Sequence, residues 1–262
     1  MSTSPASASS PTPARSATPT PSSDAPTREA IVEQFQHSSP TLWSDGNHSA
    51  LPGLVRRTES DSVVLTLDAC GGKHGSRVDD ELLDYLRSEH IPAVVFLNKR
   101  WIEANPTAFS QLADEPALFE VGNHGTRHVP LSVTGRSQYG IAGTRNAGEV
   151  YDEIMENHTF LTRELGTPPR YFRTGTAWYD DVAVKIVRAL GEVPVGFDIN
   201  GDAGATFTAS QVAESVRQAR AGSIILCHCN QPGGDTYEGL RLALPKLRAS
   251  GLTFTTLSEA GV

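Results

Sequence analysis

At 262 residues the chain suits one large domain or two small ones, and 22 Lys and Arg against 30 Asp and Glu give a formal net charge of −8. That balance argues against a nucleic-acid or anionic-membrane partner, since both attract a basic face. No stretch approaches the ~18 apolar residues of a membrane-spanning helix, and an odd count of three cysteines is too few for a disulfide scaffold, so the expectation is a soluble globular enzyme.

Ser, Thr, Pro and Ala fill every one of the first 27 positions except Met1, Arg15 and Asp24. Such a segment buries too little apolar surface to offset its backbone entropy and is expected to be disordered. It lacks the apolar central run of a signal peptide. Two readings stay open: a genuine disordered leader, or a linker whose export signal is missing from the recorded start. Residues 28–60 read as a lead-in with a helical turn or two near its beginning, and residues 61–262 as the catalytic domain.

From residue 61 the pattern is regular. Val63–Ala69 reads as a buried strand, followed by a Gly71/Gly72 loop and a helix over residues 79–89. A second strand covers 91–97, and Asn105-Pro106 reads as an N-cap followed by proline at the first helical position. A third strand covers 118–122, and a long polar loop follows it. Residues 146–165 carry Val150, Ile154, Phe160, Leu161 and Leu165 at helical spacing. Strands are then expected at 171–174, 194–199, 223–229 and 252–257, separated by helices at 181–190, 210–220 and 237–249. This alternation calls for a parallel sheet covered by helices, closed as a barrel with fewer than eight strands or left open.

Polar chemistry gathers at one end of these strands. Asp68 ends the first, His124 and His128 follow the third, Arg173 ends the fourth, Asp198 and Asp202 follow the fifth, and His228 ends the sixth. The C-terminal ends of parallel strands share one face, which is where such folds keep their sites. In the run Gly122-Asn-His-Gly-Thr-Arg-His128, the histidines at i and i+4 are expected on one face of a helical turn, near enough to hold one metal ion. Neutral imidazole suits zinc, cobalt or nickel. Asp68, ending an apolar strand, is placed as a metal ligand or a general base. The nearby glycines lack the spacing of a P-loop or a dinucleotide fingerprint, which excludes a nucleotide site.

These residues carry a family resemblance over about residues 60–257. The chain resembles the polysaccharide deacetylases of carbohydrate esterase family four. Thr66-Leu-Asp-Ala-Cys-Gly71 resembles that family's TFDDG motif, His124-Gly-Thr-Arg-His128 its H(S/T)xxH motif, and Tyr171-Phe-Arg173 the start of its YFRPPYG segment. Phe197–Asp202 falls where the family carries an aspartate after strand five, and Ser223-Ile-Ile-Leu-Cys-His228 resembles its late I-x-L-x-H motif. The resemblance implies an α/β fold, a distorted, TIM-like barrel of about seven parallel strands, and a metal-dependent acetyl hydrolase acting on a carbohydrate. It implies His124 and His128 as metal ligands beside Asp68, zinc as the first choice of divalent metal, and Asp68 as general base. His228 would be the general acid, Arg173 would hold Asp68, and Asp202 or Asp198 would orient His228. A bound divalent ion polarises the acyl carbonyl and acidifies water, and a backbone N–H near Thr176 would share the oxyanion charge. The family and the leader suggest an extracellular or cell-envelope location.

The chain also departs from the pattern. Ala69 stands where the family has its second aspartate, a metal ligand, so Asp68 or Cys70 must complete the site. Thr174-Gly-Thr-Ala177 replaces the proline-tyrosine part of the arginine motif, Cys229 follows the late histidine, and Asn200 aligns as well as Asp202. Cys227 is expected in the core, and a Cys70–Cys229 contact, as a disulfide or a soft metal site, stands beside the reading of three inert side chains. Trp101 and Trp178 are candidate sugar platforms, with Trp178 favoured because it directly follows the arginine motif. Two further functions stay open: a non-catalytic glycan-binding relative that lost its metal with Ala69, and a hydrolase of a small cyclic amide or imide.

Overall fold

The computed structural model describes residues 25–47 and 50–262, so nearly all of the expected leader lies outside the described residues. In chain order, helix α1 (Arg28–Phe35) and the short strand β1 (Trp43–Ser44) precede β2 (Val63–Ala69). There follow α2 (Asp80–Ser88), β3 (Ala93–Leu97), α3 (Lys99–Ala104), α4 (Pro106–Ala113) and β4 (Phe119–Asn123). The next loop contains β5 (Ser137–Gln138) and β6 (Ile141–Ala142), and α5 (Ala147–Leu165) follows it. Then come β7 (Tyr171–Phe172), β8 (Tyr179–Asp180), α6 (Asp181–Ala189), β9 (Val193–Pro194) and β10 (Ile199–Asn200). The chain ends through α7 (Ala209–Val216), β11 (Ile224–His228), α8 (Thr236–Ala249) and β12 (Phe254–Thr255).

The main sheet runs β10-β11-β2-β3-β4-β7-β9, with β12 beside β2, and every pairing in it is parallel. Its two outer strands, β9 and β10, are consecutive pieces of one segment, so that segment closes the curled sheet into a distorted barrel. The single strand expected at 194–199 is thus split. Pro194 has no N–H to extend the pairing. At Gly196 a Cβ would come within 3.2 Å of Leu54.

Alternation along β2 sorts its side chains into two layers. Val64 joins Val94, Phe96, Tyr171, Val195, Phe197, Ile224 and Leu226 inside the barrel. Val63, Leu65, Leu67 and Ala69 instead join the outer cluster with α2, α8 and Trp101. Ala69 therefore sits on the helix-facing row, whereas Asp68 is on the inner one.

The lead-in packs onto the barrel. Thr27 caps α1 by accepting the N–H of Ala30. Ile31 and Phe35 are buried against the layer of α5 and α6, each such burial being worth ~1.5–3 kcal/mol. β1 pairs antiparallel with β8, and the Asp181 carboxylate accepts the backbone N–H groups of Thr41 and Leu42 at 2.8 and 2.9 Å. No helix among the described residues is long and apolar enough to cross a membrane.

Candidate active site

Register sets the site. In the β2–β11 pairing, Asp68 is the direct neighbour of His228, and β3–β4 pairing brings Asn123, just before His124, opposite Leu97. Asp68, His124, Arg173, Asp202 and His228 are all drawn to this rim.

Asp68 and Arg173 form a buried ion pair. The guanidinium, fully buried, donates to Asp68 Oδ1 at 2.8 Å, to Thr66 Oγ1 at 2.6 Å and to the carbonyl of Gly196 at 2.8 Å. It also lies 4.4 Å from the Phe96 ring centroid. Its donors are spread over several partners, as a buried cation requires. The second carboxylate oxygen of Asp68 lies 3.6 Å from His124 Nε2.

His124 Nδ1 meets the carbonyl oxygen of Arg173 at 2.8 Å. That contact places the ring proton on Nδ1 and leaves Nε2 free as a donor of its lone pair. The His124 and His128 rings stand 5.0 Å apart at 77°. They do not share a helical turn: residues 124–128 form a loop in which Gly125 has φ +76° and His128 φ +61°. The expected helical turn does not form, because the left-handed Gly125 and His128 break a right-handed helix.

The loop is shaped by Glu153, a residue the sequence reading did not single out. Its buried carboxylate accepts the backbone N–H groups of Thr126, Arg127 and His128 at 3.0–3.2 Å, and Arg127 Nε at 3.1 Å. Consecutive N–H groups turned inward make a concavity for an anion, filled here by the protein's own carboxylate. Burial pushes the Glu153 carboxyl above its ordinary range, and Arg127 and the backbone donors offset only part of that. Asn98 Nδ2 steadies the loop from β3 by donating to the carbonyls of His124 and Gly125, each at 2.9 Å. A signal for Glu153 exists in the sequence: it is a charged residue within the apolar stripe of Val150, Ile154 and Leu161 on α5.

Cys70 completes a set. Its sulfur, His124 and His128 offer ligand atoms all within 4.8 Å of one another, and Sγ is 3.8 Å from His124 Nε2. Asp68 lies outside this mutually close set. Burial alone would raise the Cys70 thiol, but the charge of His128 and hydrogen bonding with His124, His128 and His228 outweigh it and lower the thiol well below its usual value. A thiolate and two imidazoles suit zinc or cobalt, so the residues present fit a divalent ion. Cys70 reaches the set through Gly71, whose φ of +72° turns the chain where a Cβ would strike the Trp101 backbone nitrogen at 2.5 Å.

On the far side of Asp68, His228 Nδ1 meets Asp202 Oδ1 at 2.9 Å, while Asp202 Oδ2 accepts the His228 backbone N–H at 2.7 Å and the Thr236 hydroxyl at 3.0 Å. Burial opposes a charged His228, yet Asp202, with help from Cys70, holds its pKa well above the ordinary histidine value. Asp198 is elsewhere: it pairs with Arg57 and accepts from Ser223 Oγ at 3.0 Å and the Ile224 N–H at 2.9 Å. Asn200 caps the following turn through Ala203.

Gly175 packs directly on His128, where a Cβ would lie 2.4 Å from the histidine Cα. Beside it, the buried Thr176 hydroxyl oxygen has no hydrogen-bond partner among the described residues. Trp178 is half-buried and touches Trp43. Trp101 is not a platform, because it is fully buried and donates its indole N–H to Arg77 O at 2.9 Å. The three cysteines are free thiols. Cys227 and Cys229 pack in the outer cluster, which overturns a Cys70–Cys229 disulfide.

The sequence model of the polysaccharide deacetylase family matches residues 55–195. Among curated proteins nothing matches. Solved structures share the fold. A family 4 carbohydrate esterase pseudoenzyme from Bacillus anthracis superposes with TM-score 0.65 at 21% identity, over 80% of this chain and 69% of that one. A family 4 carbohydrate esterase of Bacillus subtilis gives 0.62 at 20%, over 79% and 83%. A family 4 acetyl xylan esterase from Clostridium thermocellum, solved with cobalt, gives 0.61 at 23%, over 76% and 89%.

Proposed function

The chain belongs to the polysaccharide deacetylase family, and from that premise we propose that it is a metal-dependent hydrolase removing N- or O-linked acetyl groups from a polysaccharide or amino sugar. The observation that carries the reading is the Cys70, His124 and His128 donor set, flanked by the Asp68–Arg173 pair and the His228–Asp202 pair. Cys70, His124 and His128 would hold the ion, zinc being the first choice. When bound, a divalent cation supplies Lewis acidity to the acyl carbonyl and to water.

The remaining chemistry belongs to the side chains. Arg173 fixes one oxygen of Asp68 and leaves the other turned toward His124, so Asp68 is oriented to take a proton from the attacking water. Asp202 keeps His228 charged and aimed, so it can hand a proton to the departing amine or hydroxyl. The backbone N–H near Thr176 is the donor for the oxyanion.

The Bacillus anthracis neighbour is called a pseudoenzyme, and Ala69 stands where the resemblance places a metal-binding aspartate. Against a non-catalytic reading stands the Cys70 sulfur, which supplies a third donor from the adjacent position. Elemental analysis of the purified chain, beside acetate release from N-acetylglucosamine oligomers, peptidoglycan and acetylated xylan, decides between them. Bound metal, chelator-sensitive release and its loss in His124→Ala support the hydrolase. Glycan binding by a metal-free protein with no release supports the non-catalytic relative.

A further inference from the structure

Asn123, Asn157, His158 and Glu192 form a polar cluster that no step described above uses. Asn123 and Asn157 are fully buried and Glu192 nearly so, while the His158 side chain reaches the surface of α5. Asn123 ends β4 and directly precedes His124. Its side-chain oxygen accepts the Gly125 N–H at 2.9 Å, an Asx turn that spans His124, and also accepts Asn157 Nδ2 at 2.8 Å. Its amide nitrogen donates to the Ile154 carbonyl at 3.1 Å and to Glu192 Oε1 at 2.9 Å. Both donors and both lone pairs of the amide are thereby taken, which leaves the side chain one orientation.

The backbone enters the same arrangement. The Asn123 carbonyl accepts the Arg173 N–H at 2.9 Å, and the Arg173 carbonyl meets His124 Nδ1 at 2.8 Å. Any shift of Asn123 therefore reaches the His124 ring by two routes, through the Asx turn and through Arg173.

Packing does not account for Glu192. A carboxylate is costly to bury, and an apolar side chain of similar size serves a core better. Glu192 lies between α6 and β9, 69 residues along the chain from Asn123. Its Oε1 serves both Asn123 and His158, the latter at 2.7 Å, whereas Oε2 has no hydrogen-bond partner among the described residues. The acid is explained by what that one oxygen holds.

We propose that Glu192 and Asn123 are positioning residues for the metal centre: Glu192 locks the Asn123 amide, and the turn closed by that amide aims His124 at the ion. This rests on the reading of His124 as a metal ligand.

The test uses the full chain and two readouts. One is chelator competition for cobalt. The other is hydrogen exchange at the Gly125 amide of the metal-free protein, with the β3 amides as internal reference. Glu192→Leu removes the acceptor. Glu192→Gln keeps it, because an amide nitrogen in place of Oε2 displaces no hydrogen bond. The expected result is metal affinity ~10-fold lower in Glu192→Leu and faster exchange at Gly125 with β3 unchanged, both restored in Glu192→Gln. His158→Ala, a change at the surface of α5, serves where Glu192→Leu does not fold. It frees the carboxylate to turn and is expected to speed Gly125 exchange. Unchanged affinity and exchange in Glu192→Leu, or unchanged exchange in His158→Ala where that variant stands in, overturns the lock. So does exchange that rises alike at Gly125 and in β3, the sign of a purely structural role. Gly125 exchange that follows the Glu192 variants in a chain that binds no metal upholds the lock, and the metal reading falls instead.

Discussion

The His128 backbone N–H donates to Glu153 Oε1 at 3.0 Å while the His128 φ stands at +61°, so a helix 25 residues downstream holds a candidate ligand in a conformation it would not adopt alone. Replacing Glu153 by Gln keeps one acceptor oxygen but sets an amide NH2 against the Arg127 donors that now meet Oε2 and removes the charge they answer, at about 1–3 kcal/mol. Glu153→Gln is expected to lower the melting temperature and to weaken metal binding ~10–100-fold. A chelator competition with equal metal affinity in variant and wild type would refute the role of Glu153 in shaping the loop.

Arg173 compensates the charge of Asp68, both side chains being buried. Arg173→Met leaves that carboxylate buried without its cation and is expected to cost ~3–5 kcal/mol. Arg173→Lys keeps the charge but cannot replace a planar fork that reaches Asp68, Thr66 and Gly196 together. Chemical denaturation should rank wild type above Lys and Lys above Met, with acetate release lost in both variants. A fully active Lys variant contradicts the geometric argument.

Cys70 decides what kind of centre this is. Cobalt-loaded wild type should show a thiolate-to-metal charge-transfer band in the near ultraviolet, absent in Cys70→Ser. The serine variant should also bind less metal. Cys70→Asp should bind metal without the band, because a carboxylate is also a ligand for zinc or cobalt. An identical spectrum for wild type and Cys70→Ser removes the sulfur from the donor set.

Glu192 offers a pH test away from the donor set. Burial raises its pKa above 4.5, and the hydrogen bond from His158 only partly offsets this. The folded state therefore holds the proton more tightly than the unfolded one. Stability contributed by the protonated acid is present below about pH 4.5 and is lost as pH rises through the higher folded value. Glu192→Gln, which cannot ionise, should gain in melting temperature relative to wild type as pH is raised across that interval. A constant difference between the two from pH 4 to 8 would show that Glu192 ionises normally in the fold.

Much of the framework was legible in the sequence. The seven residues of β2 run from Val63 to Ala69 in the structure as expected, all of them buried, because a buried parallel strand is a predominantly apolar run. Asp68, His124, Arg173, Asp202 and His228 were expected at one rim and lie there. The one strand expected after α6 is instead split into β9 and β10. Its residues are apolar except for Asp198, but which neighbours they pair with is decided by the closure of the barrel.

The amino-acid order alone determined the alternation of strand and helix and the positions of the polar strand ends, because these depend on side-chain period and on residues near in sequence. Tertiary structure decided that Cys70 rather than Ala69 faces the histidines and that Glu153 folds the loop between them. It also decided that Glu192 meets Asn123. Each of these depends on where distant backbone segments approach, and no local pattern records the distance between chain segments brought together only by packing.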